Sequence, residues 1–296
     1  MKKTVSGSTS IYTILGDPIK HTMSPVLMNK NFDRLELDSI FLALKSDLTD
    51  FNEVFPILNK LNFAGYVFTM PVKEIAANYM HELTEEAQII GAINCAVNKD
   101  GKLIGSNTDS IGFWNAIQNS NSGKKQINKM FILGCGGFSK SAIAQAAIQG
   151  VKEIVVSSKF EEVSFINSFK KFKERLLSKI PDVAIELIDW QPKTWEKHLQ
   201  TSDLIANGTP NGMANKGDLH MIFPFASVKE DALFFDAIYL PRETEFLKKA
   251  KQKGHICVEG LDLLVYQGAV SFKNYTGKEA NPSVMKEDIL SFWNEK

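Results

Sequence analysis

Four short segments of this 296-residue chain carry residue types whose spacing suits chemistry. The first is Gly134-Cys135-Gly136-Gly137-Phe138-Ser139. In such a Gly-x-Gly-Gly-x-Ser loop, Gly134 lets the chain leave a strand sharply. Gly136 lets backbone approach a pyrophosphate, and Ser139 takes a third small position close to a sheet. A helix beginning there offers unpaired N–H groups and a positive dipole end to phosphates. The second and third segments are Thr69-Met70-Pro71-Val72-Lys73 and Ser106-Asn107-Thr108-Asp109. Interconverting a carbonyl and an alcohol by hydride transfer also moves a proton, which calls for a general acid/base within hydrogen-bond reach. Lys73 and Asp109 would form an ion pair if their junctions met. The Asp would keep the ammonium protonated and oriented, while burial would pull the other way. Taken singly, the two also read as a solvated charge and a helix cap. The fourth segment, His21-Thr22-Met23-Ser24, places two hydroxyls two residues apart before a helix. They suit a small carboxylate, and Ser24 suits an N-cap equally well.

The strand after the glycine loop bears on which dinucleotide fits. It runs out as Val156-Ser157-Ser158-Lys159-Phe160-Glu161. No carboxylate stands at its end for a ribose 2′-OH, and Lys159 is available for a 2′-phosphate. The expectation leans to NADP. Glu161 in reach of a ribose keeps NAD open.

These segments need elements to hold them. Apolar runs and turn residues predict strands at 12–15, 40–44 and 65–68, and helices opened by Ser24-Pro25, over 48–61 and from Pro71. Residues 92–97 and 102–105 flank Lys99-Asp100-Gly101 as a hairpin. A polar Gly/Ser-rich stretch over 119–125 reads as a boundary loop. Beyond it, strands at 130–133, 154–156, 183–188, 204–206 and 233–237 alternate with helices over 139–149, 163–178 and 244–253. Gly150 stops the first of these helices. Such alternation predicts an α/β fold with a mainly parallel sheet. Residues 261–272 and 283–293 read as helices.

Composition excludes several classes. With 34 basic and 34 acidic side chains there is no basic surplus for nucleic acid. The basic run Lys170–Lys179 repeats at helical spacing and reads as a solvated face. Three separated cysteines and five histidines without ligand spacing predict neither a disulfide framework nor a metal site. Met-Lys-Lys is followed by Ser, Gly and Thr, which is no signal peptide, and no apolar stretch is long enough to span a membrane. The expectation is a cytoplasmic protein with a small-molecule substrate, working as monomer or homodimer without metal, nucleic acid or membrane.

The segments together resemble the shikimate dehydrogenase family, which includes quinate/shikimate dehydrogenases. The resemblance runs from about Gly16 to Phe272, with the motifs in order. It implies that Thr22 and Ser24 bind the substrate carboxylate, that Thr69 and Asn94 bind substrate, and that Lys73 and Asp109 are catalytic. Downstream, Asn207-Gly208-Thr209-Pro210-Asn211-Gly212-Met213 is similar to a strand-end loop near the cofactor. Asp236-Ala237-Ile238-Tyr239-Leu240-Pro241 matches a motif whose Tyr lies near substrate. Gly260-Leu261-Asp262-Leu263-Leu264-Val265-Tyr266-Gln267-Gly268 matches a helix whose Gln contacts a substrate hydroxyl. The implied cofactor residues are Gly134, Gly136, Gly137, Phe138, Ser139, Ser158, Lys159, Asn207, Thr209 and Gly260. The implied architecture is two α/β domains with a cleft between them. One is a substrate domain over 1–111, completed by helices in 262–296. The other is a Rossmann-type NAD(P) domain over 112–261.

Three departures from the family's pattern stand out. Val67 stands for a usual Asn, Cys95 for a usual Thr, and Ser157-Ser158-Lys159 for a usual Asn-Arg-Thr. The last removes the arginine that grips a 2′-phosphate. The resemblance implies reversible reduction of 3-dehydroshikimate to shikimate. A paralogue acting on quinate or a related cyclohexane acid is the enzymatic alternative. A non-catalytic dinucleotide-binding regulator is the alternative of another class.

Overall fold

The computed structural model describes residues 4–121, 126–213 and 216–295. They form two compact units. One comprises residues up to Thr108 together with those from Val265 onward; the other is Asp109–Leu264.

The first unit is built on a six-stranded sheet. Its strands are β1 (Ser10–Gly16), β2 (Ser39–Lys45), β3 (Gly65–Phe68), β4 (Glu82–Leu83), β5 (Cys95–Lys99) and β6 (Lys102–Ser106). The spatial order is β2-β1-β3-β5-β6-β4. Helices α1 (Ser24–Arg34) and α2 (Phe51–Lys60) carry the chain from β1 to β2 and from β2 to β3. They make parallel neighbours on β1, whereas β5 is antiparallel to both β3 and β6. The carboxyl ends of β1, β3 and β6 and the start of β5 therefore share one edge. Side chains alternate across a strand. Tyr66 and Phe68 of β3 face α2, where Phe55 lies 5.0 and 5.5 Å from their ring centres. Val67 points to the opposite face.

Short helices α3 (Lys73–Ala77) and α4 (Glu85–Ile90) follow β3 and β4, and Gly91 ends α4 in the left-handed conformation. The expected hairpin forms, but its first strand is Cys95–Lys99 rather than 92–97. Lys99 pairs with Lys102, leaving Asp100 and Gly101 at φ +53° and +88°, the signature of a type I′ turn.

Helix α5 (Thr108–Asn121) begins on the last residue of the first unit. The second unit then runs β7 (Lys129–Leu133), α6 (Gly137–Ile148), β8 (Glu153–Ser158), α7 (Val163–Lys179), β9 (Ala184–Asp189), α8 (Pro192–Leu199), β10 (Leu204–Asn207), α9 (Leu219–Ile222), β11 (Leu233–Asp236), α10 (Glu245–Gln252) and β12 (Cys257–Val258). All its strands are parallel, in the order β12-β11-β10-β7-β8-β9. This is the doubly wound arrangement of dinucleotide-binding sheets, with its switch point between β7 and β10. On α7, Phe169, Phe172 and Leu176 are buried while Lys170, Lys171 and Arg175 are exposed, so the basic run is a solvated face.

Two last helices, α11 (Gly260–Thr276) and α12 (Pro282–Asn294), bring the chain back to the first unit. Tyr275 and Phe272 pack 4.9 Å from Tyr12 and 5.5 Å from Phe32, and Arg34 pairs with Asp288 at 2.9 Å. Gly65 is required here, because a Cβ would fall 2.8 Å from the Tyr275 ring.

Several local expectations change. Ser24 is the first residue of α1 rather than its N-cap; Met23 occupies that place. Helix α2 starts at Phe51, not Leu48, because Asp47 Oδ1 accepts from the Thr49 and Asp50 N–H groups and holds a turn there. Helix α3 starts at Lys73 rather than Pro71. Residues 119–121 of the expected boundary loop are the last turn of α5, and 122–125 lie outside the described residues. The short elements β4, α4, α8, α9 and β12 had no periodic signal long enough to read.

Candidate active site

The shared edge of the first sheet collects the polar segments. Gly16 ends β1, and Thr22 and Ser24 follow it. The Thr22 hydroxyl lies 3.2 Å from Ser24 Oγ and accepts from the Ser24 N–H at 3.3 Å, so the two hydroxyls form one group. Thr69 follows β3. Its N–H donates to Leu15 O at 2.9 Å, and the Asp17 N–H donates to Met70 O at 3.0 Å. This lacing is so close that a Cβ on Gly16 would overlap the Thr69 methyl and the Met70 carbonyl.

Lys73, half-buried, opens α3. Its carbonyl accepts from the Ile93 N–H at 3.0 Å, beside Asn94. Asn94 immediately precedes β5 and is 2 % exposed. Its Oδ1 accepts from the Thr108 N–H at 2.6 Å and the Thr108 hydroxyl at 3.1 Å. That hydroxyl also lies 3.5 Å from Gln267 Oε1 and 2.9 Å from Ser271 Oγ, both on α11. Asn94, Thr108, Gln267 and Ser271 are thus one buried polar cluster. Asp109 is the next residue of α5 and is half-buried. Val67 and Cys95, the two apolar departures, are direct cross-strand partners on β3 and β5. Sequence reasoning assigned nothing to Ser271. Its signal was the four-residue spacing from Gln267, which puts both on one helix face.

In the second unit, Gly134 follows β7 and α6 begins at Gly137. Gly134 has φ +92°, and a Cβ there would fall 2.7 Å from Thr209 Cγ2. Gly136 and Gly137 differ: a Cβ on either would meet nothing within 4 Å. Their bareness serves no packing, so the loop leaves open space in front of a helix N-terminus. Ser139 is fully buried, and its hydroxyl occupies the place a Cβ on Gly208 would take, which brings α6 close to the end of β10. Phe138 stacks on Phe235 at 5.6 Å. A cavity of about 290 Å³ adjoins the loop, bordered by Gly136, Ser158, Lys159, Trp190, Thr209 and Lys216. Its carboxylate is Glu162, not Glu161. Cys135 Sγ donates to Ser158 Oγ at 3.2 Å. The open glycines, the helix end and the two lysines fit a dinucleotide phosphate group. Trp190, an aromatic wall, went unread because it comes from the end of the third strand.

Beneath the Asn207–Gly212 loop lies Asp236, fully buried at the end of β11. It accepts from Asn207 Nδ2 at 3.1 Å, the Ile238 N–H at 3.1 Å and the Thr244 hydroxyl at 2.7 Å. Asn207 Oδ1 in turn accepts from Thr209 N–H and Oγ–H, and Thr209 Oγ1 accepts from Asn211. Burial pushes the Asp236 carboxyl up to about 7, against the pull of the bonds from Thr244, Ile238 and Asn207. Tyr239 is half-buried, and burial raises its phenol. Gly260 packs where a Cβ would overlap the Ile238 carbonyl. Among the described residues no His/Cys/Asp/Glu group could hold a metal ion, and no helix is long and apolar enough to cross a membrane.

Comparison with known proteins agrees with this layout. Sequence models of the shikimate dehydrogenase substrate binding domain and the shikimate 5′-dehydrogenase C-terminal domain match residues 14–96 and 260–290. A shikimate dehydrogenase (NADP(+)) of Bacillus cereus (strain B4264) is 34% identical over 280 residues, covering 95% of this chain and 97% of the relative. The structure of shikimate 5-dehydrogenase from Listeria monocytogenes, in complex with shikimate and NAD, is 29% identical. It superposes with a TM-score of 0.90 over 98% of this chain and 99% of that one. A quinate dehydrogenase from Corynebacterium glutamicum, in complex with NAD, has a TM-score of 0.84 over 96% and 99% of the two chains. At 22% identity it speaks to the fold alone.

Proposed function

Because the chain belongs to the shikimate dehydrogenase family, we propose that it catalyses the reversible NAD(P)-dependent reduction of 3-dehydroshikimate to shikimate. The observation that carries this reading is the Asn94–Thr108–Gln267 cluster at the strand-end edge, in a chain alike to such enzymes over nearly its whole length. A polyhydroxylated acid needs many fixed donors and acceptors, since each buried hydroxyl left unpaired costs roughly 1–3 kcal/mol. Thr22 and Ser24, with Tyr239, hold the carboxylate end. Thr69, Asn94 and Gln267 bind ring hydroxyls. Lys73 gives a proton to the ring carbonyl oxygen, and Asp109 orients Lys73 and shares in the transfer.

When bound, the dinucleotide supplies or accepts the hydride. Gly134, Gly136, Gly137, Phe138 and Ser139 form its phosphate loop, and Asn207, Thr209 and Gly260 shape the facing segment. Its 2′-phosphate falls to Ser158 and Lys159. Support for NADP comes from Lys159 and Lys216 on the cavity and from a β8 end without a carboxylate. The Bacillus cereus relative is named for NADP, while the Listeria structure holds NAD. Quinate, or a related cyclohexane acid, is the second reading; the apolar Val67–Cys95 pair beside Asn94 favours it.

The test is a dehydrogenase assay following NAD(P)H absorbance, with shikimate and quinate each paired with NAD and NADP. Turnover is expected with shikimate, faster with NADP. A protein that binds dinucleotide yet turns over neither acid would be a regulator rather than an enzyme.

A further inference from the structure

Thr108 stands one residue before the proposed catalytic aspartate. Its backbone N–H and its hydroxyl both converge on Asn94 Oδ1, at 2.6 and 3.1 Å. A backbone N–H can only donate, so the Asn94 atom it meets is the carbonyl oxygen of the amide. The amide nitrogen is then turned away from Thr108. The hydroxyl has a single proton. When it goes to Asn94, the neighbouring Ser271 hydroxyl, 2.9 Å away, donates into Thr108 in its place. Thr108 and Ser271 are both fully buried, so water does not compete for these bonds.

We propose that Thr108 and Ser271 are positioning residues that lock the Asn94 amide with its two N–H donors toward the substrate. This rests on the reading of the protein as a dehydrogenase of a hydroxylated ring acid. The orientation has a chemical consequence. An N–H donor pairs with an oxygen whether it is an alcohol or a ketone, whereas an amide carbonyl pairs only with the alcohol. Where the ring hydroxyl that Asn94 binds is the one interconverted with the ketone, Asn94 so locked keeps that contact through both directions of the reaction.

Steady-state kinetics with shikimate test this. Thr108→Val keeps the backbone donor and removes the hydroxyl; it is expected to raise KM for the acid about tenfold. The kcat at saturating acid and the KM for NADP should stay within about twofold, as for loss of a binding contact alone. Ser271→Ala should act in the same direction more weakly, and Thr108→Ser should restore wild-type values. Asn94→Asp keeps an acceptor for Thr108 and loses the donors, so it should bind the acid as poorly as Asn94→Ala. A Thr108→Val protein with unchanged KM for the acid, or with both KM values raised alike, would overturn the proposal. So would an Asn94→Asp enzyme that binds the acid like the wild type. Wild-type protein without turnover would instead remove the dehydrogenase reading, and this inference with it.

Discussion

In the second unit the proposed phosphate-loop residues are six consecutive positions, Gly134 to Ser139. In the first unit, the candidate acid site is gathered from segments as far apart as Thr22 and Ser271. In the proposed function the two regions recognise by different means. The loop works through backbone and through the lack of side chains: Gly136 and Gly137 face open space before a helix end. The acid site works through side chains that hold one another, as Thr108 holds Asn94. Backbone recognition is compact in sequence because consecutive N–H groups supply it. Side-chain recognition of a small ring demands donors from several directions, which only distant segments can provide.

This contrast can be broken or sharpened experimentally. The largest effect is expected in the first unit: Lys73→Ala should lower kcat by about 10²–10⁴ with little change in KM for the acid. Near wild-type turnover in that variant would remove Lys73 from the chemistry. Next is Asp236, whose folded pKa, about 7, lies above its ordinary value of 3.8. Between those values the folded state keeps the proton and the unfolded chain releases it. The stability it contributes is therefore full below about pH 4 and is lost as pH rises towards 7, by roughly 3–4 kcal/mol. Asp236→Asn removes this loss, so urea denaturation should show its advantage over wild type growing across that range. A constant difference would refute the linkage.

Smaller effects separate the loop's glycines. Gly134→Ala meets Thr209 at φ +92° and should cost roughly 1–3 kcal/mol of stability by thermal melting. Gly136→Ala enters open space and should leave the melting temperature unchanged while raising KM for the dinucleotide. Equal melting losses in both would mean that Gly136, too, is bare for packing. Smallest is Lys159→Ala, expected to narrow any NADP-over-NAD preference about tenfold, the worth of one charged hydrogen bond. An unchanged ratio of kcat/KM would shift the 2′-phosphate to other residues.

The same contrast explains what was legible. The strand before Gly134, the helix stopped by Gly150 and the Asp100-Gly101 turn follow from local residue types, although the first hairpin strand lies at Cys95–Lys99 rather than 92–97. The segments bearing Thr22, Thr69, Lys73, Asn94 and Gln267 were visible as motifs, but their meeting was not, because it depends on strand order. Helix α5 was not read at all, and its last residues Asn119, Ser120 and Asn121, which have turn-former composition, were assigned to a boundary loop. Two-residue strands such as β12 have no period at all; neighbouring strands recruit them. The spacing of Ser271 from Gln267 puts it on the same helix face, but its role and that of Asp236 went unread, since a buried serine or aspartate acquires one only from partners distant in sequence.

The return of α11 and α12 to the first unit has a consequence for synthesis. A ribosome delivers residues 109–264, the whole second unit, before the segment that Tyr12, Phe32 and Arg34 pack against. The second unit has its full set of strands in hand and can fold during translation. The first sheet must wait with an uncovered apolar face until Phe272 and Tyr275 emerge. The unit begun first is thus finished last.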